Sequence, residues 1–169
     1  MTLNPCWRIE MKKWLVAAIC LISAGLAPAL AWAEAGLSFE QGWVRAVPPV
    51  STNTAGYFML HNNTDQDRVL VGVSSGVAEV VEMHTVIEAD GASTMQQLKQ
   101  LVVPQQDCVL FEPGGNHIMF IGLKQPLNTG DKVTVTLTFQ GGETLDVALL
   151  VQKGPQGQQD MGHGHHHHH

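Results

Sequence analysis

The chain has 169 residues, a formal charge of −6, 44% hydrophobic and 14% charged side chains. That acidic balance repels nucleic-acid phosphates and anionic lipid, so neither is expected as a partner, and it mildly favours cations. The length suffices for one domain with a real hydrophobic core.

The first element in chain order is a targeting segment. "MKKWLVAAICLISAGLAPALAWA" sets Lys12 and Lys13 before a largely apolar run from Trp14 to Ala27, then Pro28 and the small-residue site Ala31-Trp32-Ala33. Residues 1–33 read as a secretory signal peptide cleaved after Ala33, with the ten residues before Met11 as an upstream extension. A retained anchor is the competing reading, but the apolar run is short for a span. Cys20 lacks the small residue expected before a lipid-modified cysteine, so no lipoprotein is read. The expected location is the periplasm, with no membrane insertion after cleavage. Without residues 1–33 the chain keeps six basic and fourteen acidic side chains, a net −8 with neutral histidine. Cys108 is then the one cysteine left, so no internal disulfide is expected.

Residues 34–152 read as one domain of short β-rich runs separated by Gly, Pro, Asn and Asp. In order these are "GWVRAV", "TAGYFMLHN", "RVLVGVSS", "EVVEMHTVIE", "MQQLKQLVV", "DCVLFEP", "HIMFIGLK", "KVTVTLTFQ" and "TLDVALLVQ". The clearest is "KVTVTLTFQ", where Val133, Val135, Leu137 and Phe139 share one face and three threonines the other. Turns are expected at "EADGAST" (88–94), "EPGGN" (112–116, with positive φ at Gly115), "LNTGD" (127–131) and "QGGE" (140–143). No window reads as a long amphipathic helix. The pattern predicts an all-β antiparallel β-sandwich with Greek-key connections. The tail 153–169, "KGPQGQQDMGHGHHHHH", is Gly-, Gln- and His-rich and reads as disordered. It is either a purification tag or a natural histidine tract that binds divalent metal weakly.

Two histidines and two methionines carry the chemistry. His117 and Met119 lie two apart in a predicted strand and therefore share a face. His84 lies in another strand, and Met95 starts or closely precedes a third. The four could meet where these strands are neighbours, at one end of the sandwich. Thioether sulfur is soft and uncharged and suits Cu(I), whereas Zn(II), Ca(II) and Mg(II) prefer other donors. Both ligand types also survive an oxidising compartment, where paired cysteines would close into a disulfide. Each residue has a plainer reading: a lone methionine is most often core filler and a lone histidine a hydrogen-bonded surface group. Met59 is expected in the core, His61 on the surface, Met83 facing away from the site and Cys108 buried and inert. Trp43 is expected in the core rather than beside the site. "CVLFEPGGNHIM" does not have the compact Cys–His–Met loop of a blue-copper centre.

The spacing His84, ten residues, Met95, twenty-one residues, His117, one residue, Met119 resembles the motif of the PCuAC family of periplasmic copper chaperones. "WVRAVPP", "TAGYFMLHN", "EPGGNHIMFIGLKQPLNTGDKVTVTLTF" and "VALLV" resemble that family too, so the likeness covers roughly residues 37–152. The resemblance implies a cupredoxin-like sandwich and Cu(I) ligation by His84, Met95, His117 and Met119. It implies a carrier, not an enzyme, that supplies copper to the CuA site of cytochrome c oxidase subunit II beside Sco-type thiol chaperones. Some relatives carry His/Met extensions associated with Cu(II), which makes His163, His165, His166, His167, His168 and His169, with Met161, a candidate second site. The alternatives are a periplasmic copper buffer without a dedicated acceptor and a β-sandwich binding module that holds no metal.

Overall fold

The computed structural model describes residues 36–89 and 91–154. The leader and the tail histidines His163 and His165–His169 lie outside the described residues. Ten strands follow one another: β1 (Leu37–Arg45), β2 (Asn53–Asn62), β3 (Arg68–Ser74), β4 (Ala78–Ala89), β5 (Ala92–Leu98), β6 (Leu101–Val103), β7 (Asp107–Phe111), β8 (His117–Leu123), β9 (Lys132–Phe139) and β10 (Thr144–Gln152). They hydrogen-bond in the order β5-β4-β8-β2-β1-β10-β9-β3-β6, with β7 on the far half of β2. The path curls over itself so that β5, β4, β8 and β2 face β10, β9 and β3. The protein is all-β and forms a β-sandwich of the cupredoxin-like kind. All pairs are antiparallel except β1 with β10, which run parallel.

Period-2 alternation builds the core. In β9, Val133, Val135, Leu137 and Phe139 are all at 1% exposure or less, and the alternate positions face outward. From the other layer Leu60, Met83, Ile118 and Phe120 meet them in one cluster with Leu70 and Leu149. Each such side chain contributes about 1.5–3 kcal/mol relative to an exposed one. The layers approach closely at Gly56, where a Cβ would lie 3.0 Å from both Leu149 Cδ1 and Phe120 Cε2. The buried polar residue Asn62 is fully engaged. Its Nδ2 donates to the carbonyls of Gln66 (2.8 Å) and Val103 (2.9 Å), and its Oδ1 accepts from the backbone and hydroxyl of Thr64.

Several expectations are corrected. "EADGAST" is largely strand, because β4 runs to Ala89 and pairs there with Ala92, the first residue of β5. Gly91 there takes φ 77°. "MQQLKQLVV" is two strands, not one. Leu98 and Leu101 fall in opposite period-2 frames, and the chain leaves β5 at Lys99 to pair β6 with β3 in the other layer. In "EPGGN" the positive φ is at Gly114 (86°), not Gly115. Gly115 N–H donates to the Glu112 carbonyl at 3.0 Å, so Pro113 and Gly114 are the second and third residues of a type II turn, which requires φ > 0 at the third. The glycine turns at 130 and 141–142 form where expected.

Candidate metal centre

The site is built on three neighbouring strands, β5, β4 and β8. On β4, Met83 enters the core at 3% exposure, so Glu82, His84 and Val86 point away from it. On β8, Ile118 and Phe120 are fully buried, so His117 and Met119 take the outward face. The ladder register sets His84 directly opposite His117 and Glu82 opposite Met119. On the other side of β4, Gln97 lies opposite His84 and Met95 opposite Val86. Paired residues share a face, so His84, Met95, His117 and Met119 all project from one surface of the sheet. His84 is the hub. Met95 and Met119 are its diagonal neighbours on opposite sides, a spacing of about 7–8 Å that long side chains span. The four residues gather on the outward face near the start of β8, rather than among the loops at the end of the sandwich.

The two imidazoles are close, with ring centroids 5.7 Å apart and planes at 56°. Two rings that each bond one ion at about 2 Å through nitrogen have centroids no more than about 6 Å apart, so this separation already suits a shared ion. Each ring has one nitrogen held by the protein. The His117 Nδ1–H donates to the Gly115 carbonyl at 3.0 Å, which turns Nε2 outward as an acceptor. His84 Nε2 is 2.8 Å from Glu82 Oε2, and its Nδ1 is buried with no hydrogen-bond partner. A buried acceptor with nothing to accept is costly, and an ion at Nδ1 would satisfy it. His117 is 4% exposed, whereas Met95 is 61% exposed. The centre is therefore rigid on its histidine side and open on its Met95 side.

An aromatic wall closes the β2 side. Tyr57 lies 6.4 Å from His117 between ring centroids, Trp43 packs on Tyr57 at 4.6 Å, and the Arg45 guanidinium sits 5.7 Å from the centre of the Tyr57 ring. Burial pushes the Tyr57 phenol above its usual value, and Arg45 opposes this only in part. Trp43 is buried at 6%, but outside the main core cluster and beside the site. Trp43 is thus buried as expected, packed on Tyr57. Met59 differs from the expectation of a core residue. It shares the outward face of β2 with Tyr57 and His61 and is only half-buried. Cys108 is buried as expected.

Sequence reasoning did not single out Glu82 or Tyr57. The available signal was spacing: Glu-x-His on a strand puts the carboxylate on the histidine's own face. Among the described residues no group of three or more His, Cys, Asp or Glu side chains could hold a metal.

A family described as "Putative lipoprotein LpqE-like" matches residues 37–151. A lipoprotein of Leifsonia xyli, Lxx21020, is 36% identical over 118 residues, covering 69% of this chain and 70% of its own length. RP573 of Rickettsia prowazekii is 33% identical over 111 residues, and the match spans 61% of that protein. Among solved structures, the solution structure of the copper(I) form of DR1885 from Deinococcus radiodurans is 34% identical, with a TM-score of 0.59 over 74% of this chain and 83% of that one. The copper-bound PCuAC domain of PmoF2 shares the fold at a TM-score of 0.59 and 21% identity, covering 70% of this chain and 94% of that domain. The strand order, the outward imidazole pair and these likenesses agree: the chain belongs to the LpqE-like family, that of the PCuAC domains.

Proposed function

We propose that this protein is an exported Cu(I) carrier that holds one ion between His84, Met95, His117 and Met119 and delivers it to the CuA site of cytochrome c oxidase subunit II. The observation that carries the reading is the opposed imidazole pair, 5.7 Å apart, with the Nδ1 of His84 buried and unpartnered and Met95 and Met119 on the same face of the sheet. The copper(I) form of a relative 34% identical supports the choice of ion. Two imidazoles and two thioethers are neutral and soft, a set that suits Cu(I). The lipoprotein descriptions of the family and of the Leifsonia relative support an envelope location, and we place the protein in the periplasm after cleavage at Ala33.

Transfer follows from the asymmetry of exposure. Met95 is the solvent-facing donor, so an incoming acceptor ligand displaces its sulfur first while His117 stays fixed by the Gly115 carbonyl. Sco-type thiol proteins are the partners for this exchange, since a thiolate outcompetes a thioether for Cu(I). The tail histidines His163 and His165–His169 supply a second, Cu(II)-binding site in the same reading. Titration of the mature protein with Cu(I) against a competing chelator, followed by X-ray absorption on a chain ending at Gln152, tests the core site. Two sulfur and two nitrogen neighbours are expected, and a spectrum without sulfur overturns the proposal. Delivery is tested by deletion: oxidase activity lost at low copper supports a carrier, while sensitivity confined to high copper makes the protein a buffer.

A further inference from the structure

We infer that Glu82 is a positioning residue of this centre, deciding which nitrogen of His84 meets the ion. The inference rests on the carrier reading above and adds a residue to it.

The geometry is specific. Glu82 and His84 are two apart on β4 and share its outward face, and their side chains meet at 2.8 Å between Oε2 and Nε2. A carboxylate only accepts, so the imidazole nitrogen facing it carries the proton. The neutral ring then bears its lone pair on Nδ1. That atom is the one found buried without a partner. Rotating the ring to offer Nε2 instead would break the bond to Glu82. His117 is held in the opposite sense, with Nδ1–H bonded to the Gly115 carbonyl and Nε2 left to accept. The two halves of the pair thus offer different atoms, Nδ1 from β4 and Nε2 from β8.

Glu82 has a second relation to the centre. Its backbone stands directly across the ladder from Met119, while its carboxylate meets the His84 imidazole. With four neutral donors, an ion of charge +1 has no counter-charge among its ligands. A carboxylate held at one remove offsets that charge and raises the basicity of the imidazole it accepts from. The Glu82 side chain is 26% exposed, so the carboxylate stays partly hydrated while remaining bonded.

The test reads ring protonation directly. Long-range ¹H–¹⁵N spectra of the metal-free wild-type protein, taken where imidazole is neutral, should show His84 protonated at Nε2 and His117 at Nδ1. After Cu(I) loading the same nitrogens should keep their protons, and the ¹⁵N shift of His84 should move at Nδ1. Glu82→Ala should mix the His84 tautomers and weaken Cu(I) binding about 10–100-fold, with two sulfur and two nitrogen neighbours still counted by X-ray absorption. Glu82→Gln should restore the tautomer, because its amide oxygen can accept the same bond, and recover only part of the affinity, because it carries no charge. A wild-type His84 protonated at Nδ1, a proton that shifts to Nδ1 on loading, or an Ala variant unchanged in tautomer and affinity each overturns the inference. If Glu82→Ala does not fold, as judged by its amide spectrum, the wild-type spectra and the Gln variant decide. Wild-type protein that takes up no Cu(I) overturns the carrier reading and this assignment together, whereas the wrong tautomer in a copper-binding protein overturns this assignment alone.

Discussion

Replacing Met95 by alanine separates ligation from folding. Met95 is 61% exposed and mid-strand on the edge strand β5, opposite Val86, so its truncation removes little buried surface. The expected loss of stability in the metal-free protein is within about 0.5 kcal/mol. Removing one of four donors should cost at least as much as the upper end of an outer-shell loss, about 100-fold in affinity, or about 2.7 kcal/mol. The two effects differ by a factor of about five, so one pair of measurements distinguishes them. Free Cu(I) at about 100 times the wild-type Kd stabilises the native state by about 2.7 kcal/mol, a rise in Tm of roughly 10 °C for a domain of this size. Met95→Ala should melt like wild type without metal and show little of that rise at the same free Cu(I). A competitive chelator titration gives the affinities directly. A variant whose Cu(I) affinity stays within threefold of wild type refutes the placement of Met95 in the centre.

Three further outcomes concern the fold. Gly56→Ala forces a methyl to 3.0 Å from Leu149 and Phe120 in the middle of the core, and should lower urea-unfolding stability by about 1–3 kcal/mol. Asn62→Ala strips the Val103 carbonyl of its buried donor and leaves the Thr64 N–H without its acceptor. Chemical denaturation should show a loss of about 2–3 kcal/mol, and a loss below 0.5 would mean that water replaces the amide. Among the described residues, Tyr57 is the group whose burial sets a pH effect. Its folded pKa lies above the ordinary value of 10.0, so the neutral phenol favours the folded state. The native protein then holds more protons than the unfolded chain above pH 10, and stability falls as pH rises through that window. Ultraviolet titration should place the phenol above 10, and Tyr57→Phe should flatten the alkaline loss.

Much of the site was legible because its signals are local. Alternation along one strand puts His117 and Met119 on one face and Met83 opposite His84, and soft donors in an exported chain point to Cu(I) without any fold. Turn chemistry at 127–131 and 140–143 was legible for the same reason, since a glycine adjacent to polar residues declares positive φ within four positions. The failures are also local in cause. "MQQLKQLVV" has one composition but two period-2 frames, and nothing within nine residues shows that the chain changes layers at Lys99. Met59 is an apolar residue in a strand, which places it inside by default. Only the run of β2 past β8 assigns it to the outward face with Tyr57.

From its residues alone the chain dictated an all-β sandwich, the turns that hold it, and the four donors worth examining. Tertiary structure alone decided that β4 lies between β5 and β8 in the register that opposes His84 to His117. Strands thirty-three residues apart find that register through the shared core, where Met83 packs with Ile118, and a slip of β4 by one residue would turn His84 inward, away from His117. The same register sets Glu82 against Met119, and the bond from Glu82 to Nε2 leaves a buried nitrogen of His84 without a hydrogen-bond partner.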